Sequence, residues 1–353
     1  MDDDLERTDV LIVGAGPAGL ATAVELADRG IAALVLERRP DSSDHPRATA
    51  LTAETMDTLR RWGVESDVRR AGFPSEHAMS IRPCLVGPEL FRVPFPDHVW
   101  TCAQDRLEPI LAERARTAGV VIQYRCEAVS MQSVEGGVVA TVAGYNGRSS
   151  TNVRAQYVVG ADGAYSAVRE QSGITMTRTR EFGNWLSILF HAPLREFTGA
   201  SPCMVYGIGD PSTGGIISPT DATDRWIRGI AWFPERGERL EEYDTVRCID
   251  IVRSAVGVEA LPVAIADVRA FQMVAGIADR YVVGRIVVAG DAAHVVTPAT
   301  GMGLNLALHD GVSLGRALAR TIEGHDGPRA LELYERDRRP LAEQLLESEL
   351  APA

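Results

Sequence analysis

The chain has 353 residues, is 45% hydrophobic and carries a formal charge of -12, with a pI near 5.1. That length fits one large or two medium domains and an extensive core. The acidic balance argues against nucleic acid or an anionic membrane as partner, since both favour basic surface.

The five cysteines, Cys84, Cys102, Cys126, Cys203 and Cys248, include no C-x-x-C pair. An odd count without that spacing argues against a disulfide framework or a zinc site. It makes a reducing cytoplasm the default location. No apolar run suits a membrane span. The apolar stretch 10–27 follows Asp2, Asp3 and Asp4, whereas a secretory leader wants basic residues there, so it reads as structure.

In chain order, Val10 to Val13 reads as a short strand buried on both faces, followed by glycines and a helix over Pro17 to Arg29. Gly30 stands where a C-terminal helix glycine belongs. Ala33 to Leu36 is a second apolar strand, ending at Glu37, so the first forty residues form a βαβ unit. Thr52 to Trp62 predicts a helix closed by Gly63. Asp105 to Ala115 predicts another, with Asp105 and Glu108 at capping-box spacing. Strands are expected at Val120 to Tyr124, Ala128 to Ser133, Val138 to Val142 and Tyr157 to Gly160, with a hairpin at Gly136-Gly137.

From about Gly173 to Phe271 the composition shifts to aromatic and β-branched segments broken by Pro, Gly and Asp turns. That predicts a second domain with a mostly antiparallel sheet, which His77 to Val93 joins. Val282 to Ala289 returns to a buried strand. Leu304 to Thr321 and Ala330 to Leu350 read as helices. The reading assigns 1–76, 100–172 and 272–353 to one discontinuous domain, and 77–99 and 173–271 to the other.

Three motifs carry chemistry. In Gly14-Ala15-Gly16-Pro17-Ala18-Gly19, absent side chains permit a tight turn and close approach to a pyrophosphate, and the following helix supplies amide donors. Glu37 then accepts from an adenosine ribose, which favours FAD or NAD over NADP. Val288-Ala289-Gly290-Asp291-Ala292-Ala293-His294 puts a carboxylate after a buried strand, where it reaches a polyol hydroxyl; FAD has such a chain and NAD has not. Gly160-Ala161-Asp162-Gly163-Ala164-Tyr165-Ser166-Ala167-Val168-Arg169 reads locally as a strand-turn-helix junction capped by Asp162.

These motifs, in this order and over nearly the whole chain, resemble the single-component (group A) flavoprotein aromatic hydroxylases. These are relatives of para-hydroxybenzoate hydroxylase, and the pattern is most similar to the aromatic-polyketide and phenol hydroxylases. The resemblance implies an α/β fold: a Rossmann-like FAD-binding domain of the GR2 type, interleaved with an antiparallel substrate domain. It implies non-covalent FAD, NADPH or NADH as a transient reductant, and no metal. The activity implied is hydroxylation of an aromatic, phenolic or polyketide-like molecule with O2, through a flavin C4a-hydroperoxide. Many such relatives carry a further thioredoxin-like domain; none is expected within these 353 residues.

Carried over by position, the resemblance gives Gly14, Gly16, Pro17, Ala18, Gly19, Glu37, Arg38, Arg47, Gln104, Asp162, Asp291, Pro298, Gly301, Gly303, Leu304 and Asn305 as cofactor residues. Arg47 lies in His45-Pro46-Arg47-Ala48, similar to a family loop beside the flavin. Gln104 and Arg106 resemble an FAD-contacting segment. The stretch Thr297 to Asn305 resembles the turn holding the flavin pyrimidine, and the helix after it offers its positive end to reduced flavin near N1. Thr297 and Thr300 replace a usual proline and glycine, and Leu306 and Ala307 replace smaller or polar residues. Asp162, Arg169 and Arg47 are expected to share a docking surface for the nicotinamide cofactor. Asp221, Asp224 and Trp226 are expected to serve turns and packing, and His191 and His294 to lie in the core or behind the site; no general base is assigned.

Rival readings are another FAD enzyme on this scaffold, such as an epoxidase, Baeyer–Villiger oxygenase or reductase, and a non-catalytic binding module. The W-x-W-x-I-P stretch of tryptophan-type halogenases is absent.

Overall fold

The computed structural model describes residues 5–95, 99–144, 150–209, 214–298 and 301–350. Thr300 lies outside them.

The first sheet is built on parallel strands in the order Ile286–Val288, Ser150–Gly160, Glu6–Val13, Ala33–Glu37, Val121–Tyr124. Every residue from Val10 to Val13 is apolar because both faces are covered. Val10 and Ile12 pack on one side with the helices, while Leu11 and Val13 pack on the other with Val138, Ala140 and Val153. That second cover is the meander Cys126–Val134, Gly137–Gly144 and the first half of Ser150–Gly160, with Val153 opposite Ala140. Gly136, at φ 74°, makes the tight turn between the first two of those strands.

On the helical side, Pro17–Ala27 crosses Gly303–Ile322. Glycine is required at 311, where a Cβ would stand 2.3 Å from the Ala18 carbonyl oxygen. The crossing brings the start of Gly303–Ile322 to the start of Pro17–Ala27, which makes the site below possible.

The second sheet runs His294–Val295, Ala264–Ala278, Met176–His191, Arg225–Trp232, Gly215–Pro219, Cys203–Ile208, Glu76–Arg82, Phe91–Pro94. All its pairings are antiparallel except Cys203–Ile208 with Glu76–Arg82. Its hydrogen bonding continues past the expected junction at 271/272 to Ala278 and takes in His294–Val295. One face, carrying Leu186, Ile188, Phe190 and Trp226, is covered by Cys248 and Val252 of the helix Thr245–Val256.

Several expectations need correction. The helix predicted from Asp105 starts at Gln104, and Ala103 at its N-cap provides no side-chain bond. Asp105 and Glu108 form no capping box, because both are buried and take distant partners: Asp105 meets Arg225 and Glu108 accepts from the Ser43 amide. Val282 to Ala289 is a hairpin of Val282–Val283 with Ile286–Val288, turned at Gly284 with φ 59°. The helices Glu65–Ala71 and Thr245–Val256 were not predicted, although Asp244 caps the second by accepting from the Arg247 amide at 2.9 Å.

Candidate active site

The first glycine turn is locked to both neighbouring strands. The Gly14 amide donates to the Leu36 carbonyl at 2.7 Å, and the Ala161 amide donates to the Val13 carbonyl at 2.8 Å. Gly14 has φ 109°, and a Cβ there would lie 2.2 Å from the Ala161 oxygen. Gly16 differs: a Cβ there meets nothing within 4 Å. The space beside Gly16, at the start of a helix whose N-cap has no side-chain bond, is open and faces unpaired backbone amides. An anion is stabilised at such a position.

Glu37 is buried and fully engaged. Its Oε2 accepts from the Ala15 amide at 3.0 Å and from Arg39 at 3.2 Å, and its Oε1 from the Arg39 amide at 2.9 Å and Nε at 3.1 Å. Burial alone would raise its pKa, but the bonds and charge of Arg39 and the Ala15 amide hold it below the usual value. A ribose hydroxyl bonding Glu37 therefore exchanges with Arg39. Arg38 beside it is exposed.

The other motifs converge on this turn. A Cβ at Gly290 would stand 2.9 Å from the Ala18 Cβ and 3.4 Å from the Ala307 Cβ. The second motif therefore touches both long helices. Asp291 lies deep in the protein, yet its side chain is accessible to solvent, so it lines a hollow rather than packed core. Burial pushes its carboxyl pKa up; His294 and Arg47 draw it down, and Asp310 pushes it further up. Arg47 and Asp291 are thus electrostatic neighbours across the hollow. Gln104 anchors the Arg47 loop, its amide donating to the Ala48 carbonyl at 2.8 Å, while its side chain donates to Glu108.

Gly301 is exposed with φ 64°, and Pro298 is exposed beside it. The helix Gly303–Ile322 then begins with no side-chain cap at Met302. Leu304 is buried, and Asn305 is spent on the protein. Its Oδ1 accepts from the Thr52 amide at 2.9 Å and Thr55 Oγ1 at 2.8 Å, and its Nδ2 donates to the Ala50 carbonyl at 3.0 Å. Asn305 fixes where the helix end points.

The third motif is internally bonded. Asp162 accepts from the Ser166 hydroxyl and from the Val168 amide at 3.1 Å. The cap of the short helix Ala167–Gln171 is Ser166, not Asp162. Arg169 is buried, donating to the carbonyls of Ala292 at 3.1 Å and Ala164 at 3.0 Å. It ties the second and third motifs together and offers no accessible surface for docking a second nucleotide. His191 is exposed at a strand end, against the expectation of a core role, while His294 is buried as expected. Asp221 accepts from Thr223, Asp224 from the Arg195 amide, and Trp226 is fully buried, all serving turns and packing.

Sequence reasoning missed the contact between the Arg47 loop and the second sheet. His45 is buried, with Nε2 2.9 Å from Ser187 Oγ and Nδ1 2.9 Å from Asp267 Oδ2. Ser187 alternates with Leu186 and Ile188, so the sheet face opposite the helix Thr245–Val256 is the one that looks toward the Arg47 loop. On that face, by register, lie Trp185, Ala231, Ile227 and Ile216, all half-buried. Half-buried apolar side chains on one sheet face are what an apolar ligand would cover.

The described residues therefore define a dinucleotide-binding α/β protein whose two sheets meet at His45. The open space at Gly16, two helix ends without side-chain caps and the accessible carboxylate of Asp291 fit FAD. The chain belongs to the family of FAD-binding domain proteins, which it matches over residues 7–349. It is 35% identical to aklavinone 12-hydroxylase RdmE of Streptomyces purpurascens, over 98% of this chain and 68% of that protein. It is 29% identical to 2,4-dichlorophenol 6-monooxygenase of Delftia acidovorans, over 97% and 62%. Among solved structures, a ternary complex of aklavinone-11 hydroxylase with FAD and aklavinone superposes with TM-score 0.90 at 33% identity, covering 98% of this chain and 68% of that one. The chain spans about two thirds of the length of the curated relatives it matches, from 57% to 74%. Among the described residues no helix is long and apolar enough to cross a membrane, and no cluster of three or more His, Cys, Asp or Glu is placed to hold a metal.

Proposed function

We infer that the protein is an FAD-dependent monooxygenase that hydroxylates an aromatic, phenolic or polyketide-like, molecule with NAD(P)H and O2. The observation that carries this reading is the accessible carboxylate of Asp291, on a turn that packs against Ala307 and against Ala18, two residues from the open position at Gly16. The turns around Gly16, Asp291 and Gly301 are of the flavin type, and the half-buried apolar face of Trp185, Ile216, Ile227 and Ala231 is the surface read as covering substrate. FAD held by these turns would, with NAD(P)H as reductant and O2 as oxygen source, supply the chemistry that hydroxylates an electron-rich ring.

The chain's own residues bind, orient and exclude water. Gly14, Gly16, Pro17, Ala18 and Gly19 bring backbone to the pyrophosphate. Glu37, with Arg38 at the rim, takes the adenosine ribose, and Asp291 accepts from the ribityl chain. Pro298, Gly301, Gly303, Leu304 and Asn305 shape the turn and helix end that face the pyrimidine. Arg47 and Gln104 close the loop side; Asp162 holds its turn through Ser166. The domain reading is 1–76, 100–172 and 272–353 for FAD, with 77–99 and 173–271 covering substrate, and the second sheet runs on past 271 to Ala278 and takes in His294–Val295. Relatives named for aklavinone and for a dichlorophenol support an aromatic substrate of this general kind.

The test is a screen of NADH and NADPH oxidation over phenols and polycyclic quinones, with product mass. A flavin spectrum in the purified protein and a substrate-dependent mass gain of one oxygen atom are expected. A colourless protein that takes up no FAD would overturn the reading.

A further inference from the structure

Asp310 is a fully buried carboxylate in the middle of the apolar helix Gly303–Ile322, outside every motif described above. An unpaired charge there would be strongly unfavourable. It has three partners. Its Oδ2 accepts from the Gly290 amide at 3.1 Å and lies 2.5 Å from His294 Nε2. Its Oδ1 accepts from Arg338 Nε at 2.7 Å. Arg338 comes from the final helix Arg329–Leu350 and also donates to the Leu306 carbonyl at 3.2 Å.

These bonds grip both ends of one short segment. Gly290 precedes Asp291, and His294 pairs into the second sheet opposite Ile277. A carboxylate on the helix therefore fixes the peptide that aims Asp291 and the strand that leaves it. The Arg338 link fixes that carboxylate in turn, and Leu306 lies one turn inside the helix end that faces the hollow. Three chain segments meet at a single side chain.

We propose that Asp310, clamped by His294 and Arg338, is the positioning residue that aims Asp291 and the helix end at Gly303 toward bound FAD, so that it sets flavin affinity and midpoint potential without touching the flavin. The proposal rests on the FAD-monooxygenase reading. Its electrostatic sign is definite. Removing the imidazole or the guanidinium leaves the Asp310 carboxylate less compensated. Extra negative charge near the site disfavours the reduced flavin, which is itself anionic near N1.

The test uses the full chain loaded with FAD. His294→Ala and Arg338→Met are compared with the conservative His294→Gln and Arg338→Lys, which keep a donor for Asp310. FAD affinity is read by flavin fluorescence, midpoint potential by equilibrium dye titration and thermal stability by melting. The expected result for His294→Ala and Arg338→Met is an FAD Kd weaker by about ten- to a hundredfold, the scale of one charge-assisted hydrogen bond. Their potentials should be more negative than wild type, with both properties largely recovered in the Gln and Lys variants. Lowered melting temperature with unchanged affinity and potential would make the cluster merely structural and overturn the proposal. Failure of a conservative variant to fold is covered by the other. A wild-type chain that holds no FAD would overturn the function reading and this proposal together; unaltered variants beside an FAD-loaded wild type would overturn this proposal alone.

Discussion

Asp105 and Arg225 form a buried ion pair at 2.8 Å between the helix after Gln104 and the second sheet, with side-chain exposures of 5% and 8%. The pair ties the helix Gln104–Thr117 to the second sheet. It is incompletely satisfied: Asp105 Oδ1 and Arg225 Nη1 have no hydrogen-bond partner among the described residues, although Arg225 Nη2 also reaches the Asp44 carbonyl at 3.3 Å.

Breaking this pair from one side strands a buried charge. Arg225→Met or Asp105→Leu alone is expected to cost about 3–5 kcal/mol, whereas replacing both leaves no orphaned charge and costs less. Chemical denaturation of the two single variants and the double variant checks this. A double variant as unstable as the sum of the singles would mean the two side chains do not act as a pair.

Gly14 and Gly16 separate folding from binding. Gly14→Ala adds a Cβ to a residue at φ 109° and places it 2.2 Å from the Ala161 oxygen, so the protein itself should be destabilised. Gly16→Ala adds a Cβ where nothing stands within 4 Å, so the apoprotein should melt as wild type while FAD affinity falls by about tenfold or more. Unchanged FAD affinity in Gly16→Ala would move the pyrophosphate elsewhere.

The first sheet was legible because its strands are short, apolar and punctuated by glycine, and local pattern determines them. The second sheet was legible as a class, since aromatic and β-branched runs between turns indicate strands. Its register was not, because pairing over a hundred residues leaves no local trace. The site divided the same way. Glycines, Glu37 and Asp291 announce themselves by spacing. Arg169 and Asp105 were misread because a charged residue near a turn looks solvent-facing until its distant partner is known. Asp310 did leave a signal, the one carboxylate in the stretch 304–319 of a helix, and His294 reads from the sequence as lying in the core or behind the site, but Arg338 leaves no local trace.

His45 makes the junction of the two sheets sensitive to acid. Burial first, then the charges of Arg269 and Arg47, push its pKa below 6.5, against the opposing pull of Asp267. Asp44, paired with Arg269 at 2.6 Å, stands beside it. The folded state therefore binds fewer protons than the unfolded state below about 6.5, so the His45 contribution is complete above that value. It is lost as pH falls through the folded pKa. Melting temperature should drop between about pH 7.5 and 5 more steeply in wild type than in His45→Gln. Equal slopes in the two proteins would remove His45 as the cause.

Asp291 should make FAD binding itself pH-dependent, and Arg47 should set where. As an acceptor from a ribityl hydroxyl the carboxylate must be ionised, and a charge-assisted bond of this type is worth about 1.5–3 kcal/mol. Burial already moves its pKa upward, with His294 and Arg47 opposing that shift and Asp310 adding to it. Affinity in the wild type should therefore begin to fall at a higher pH than an ordinary carboxylate would dictate. Arg47→Met removes one of the two side chains that oppose the shift, so its decline should begin at a still higher pH. Asp291→Asn should bind more weakly at neutral pH by about tenfold or more, and should lose the dependence because it has nothing to titrate. Fluorescence titrations of FAD across the acidic range, on wild type and the two variants, separate these outcomes. If Arg47→Met and wild type decline at the same pH, the two side chains do not share the hollow, and the loop at His45-Pro46-Arg47 does not close over the flavin.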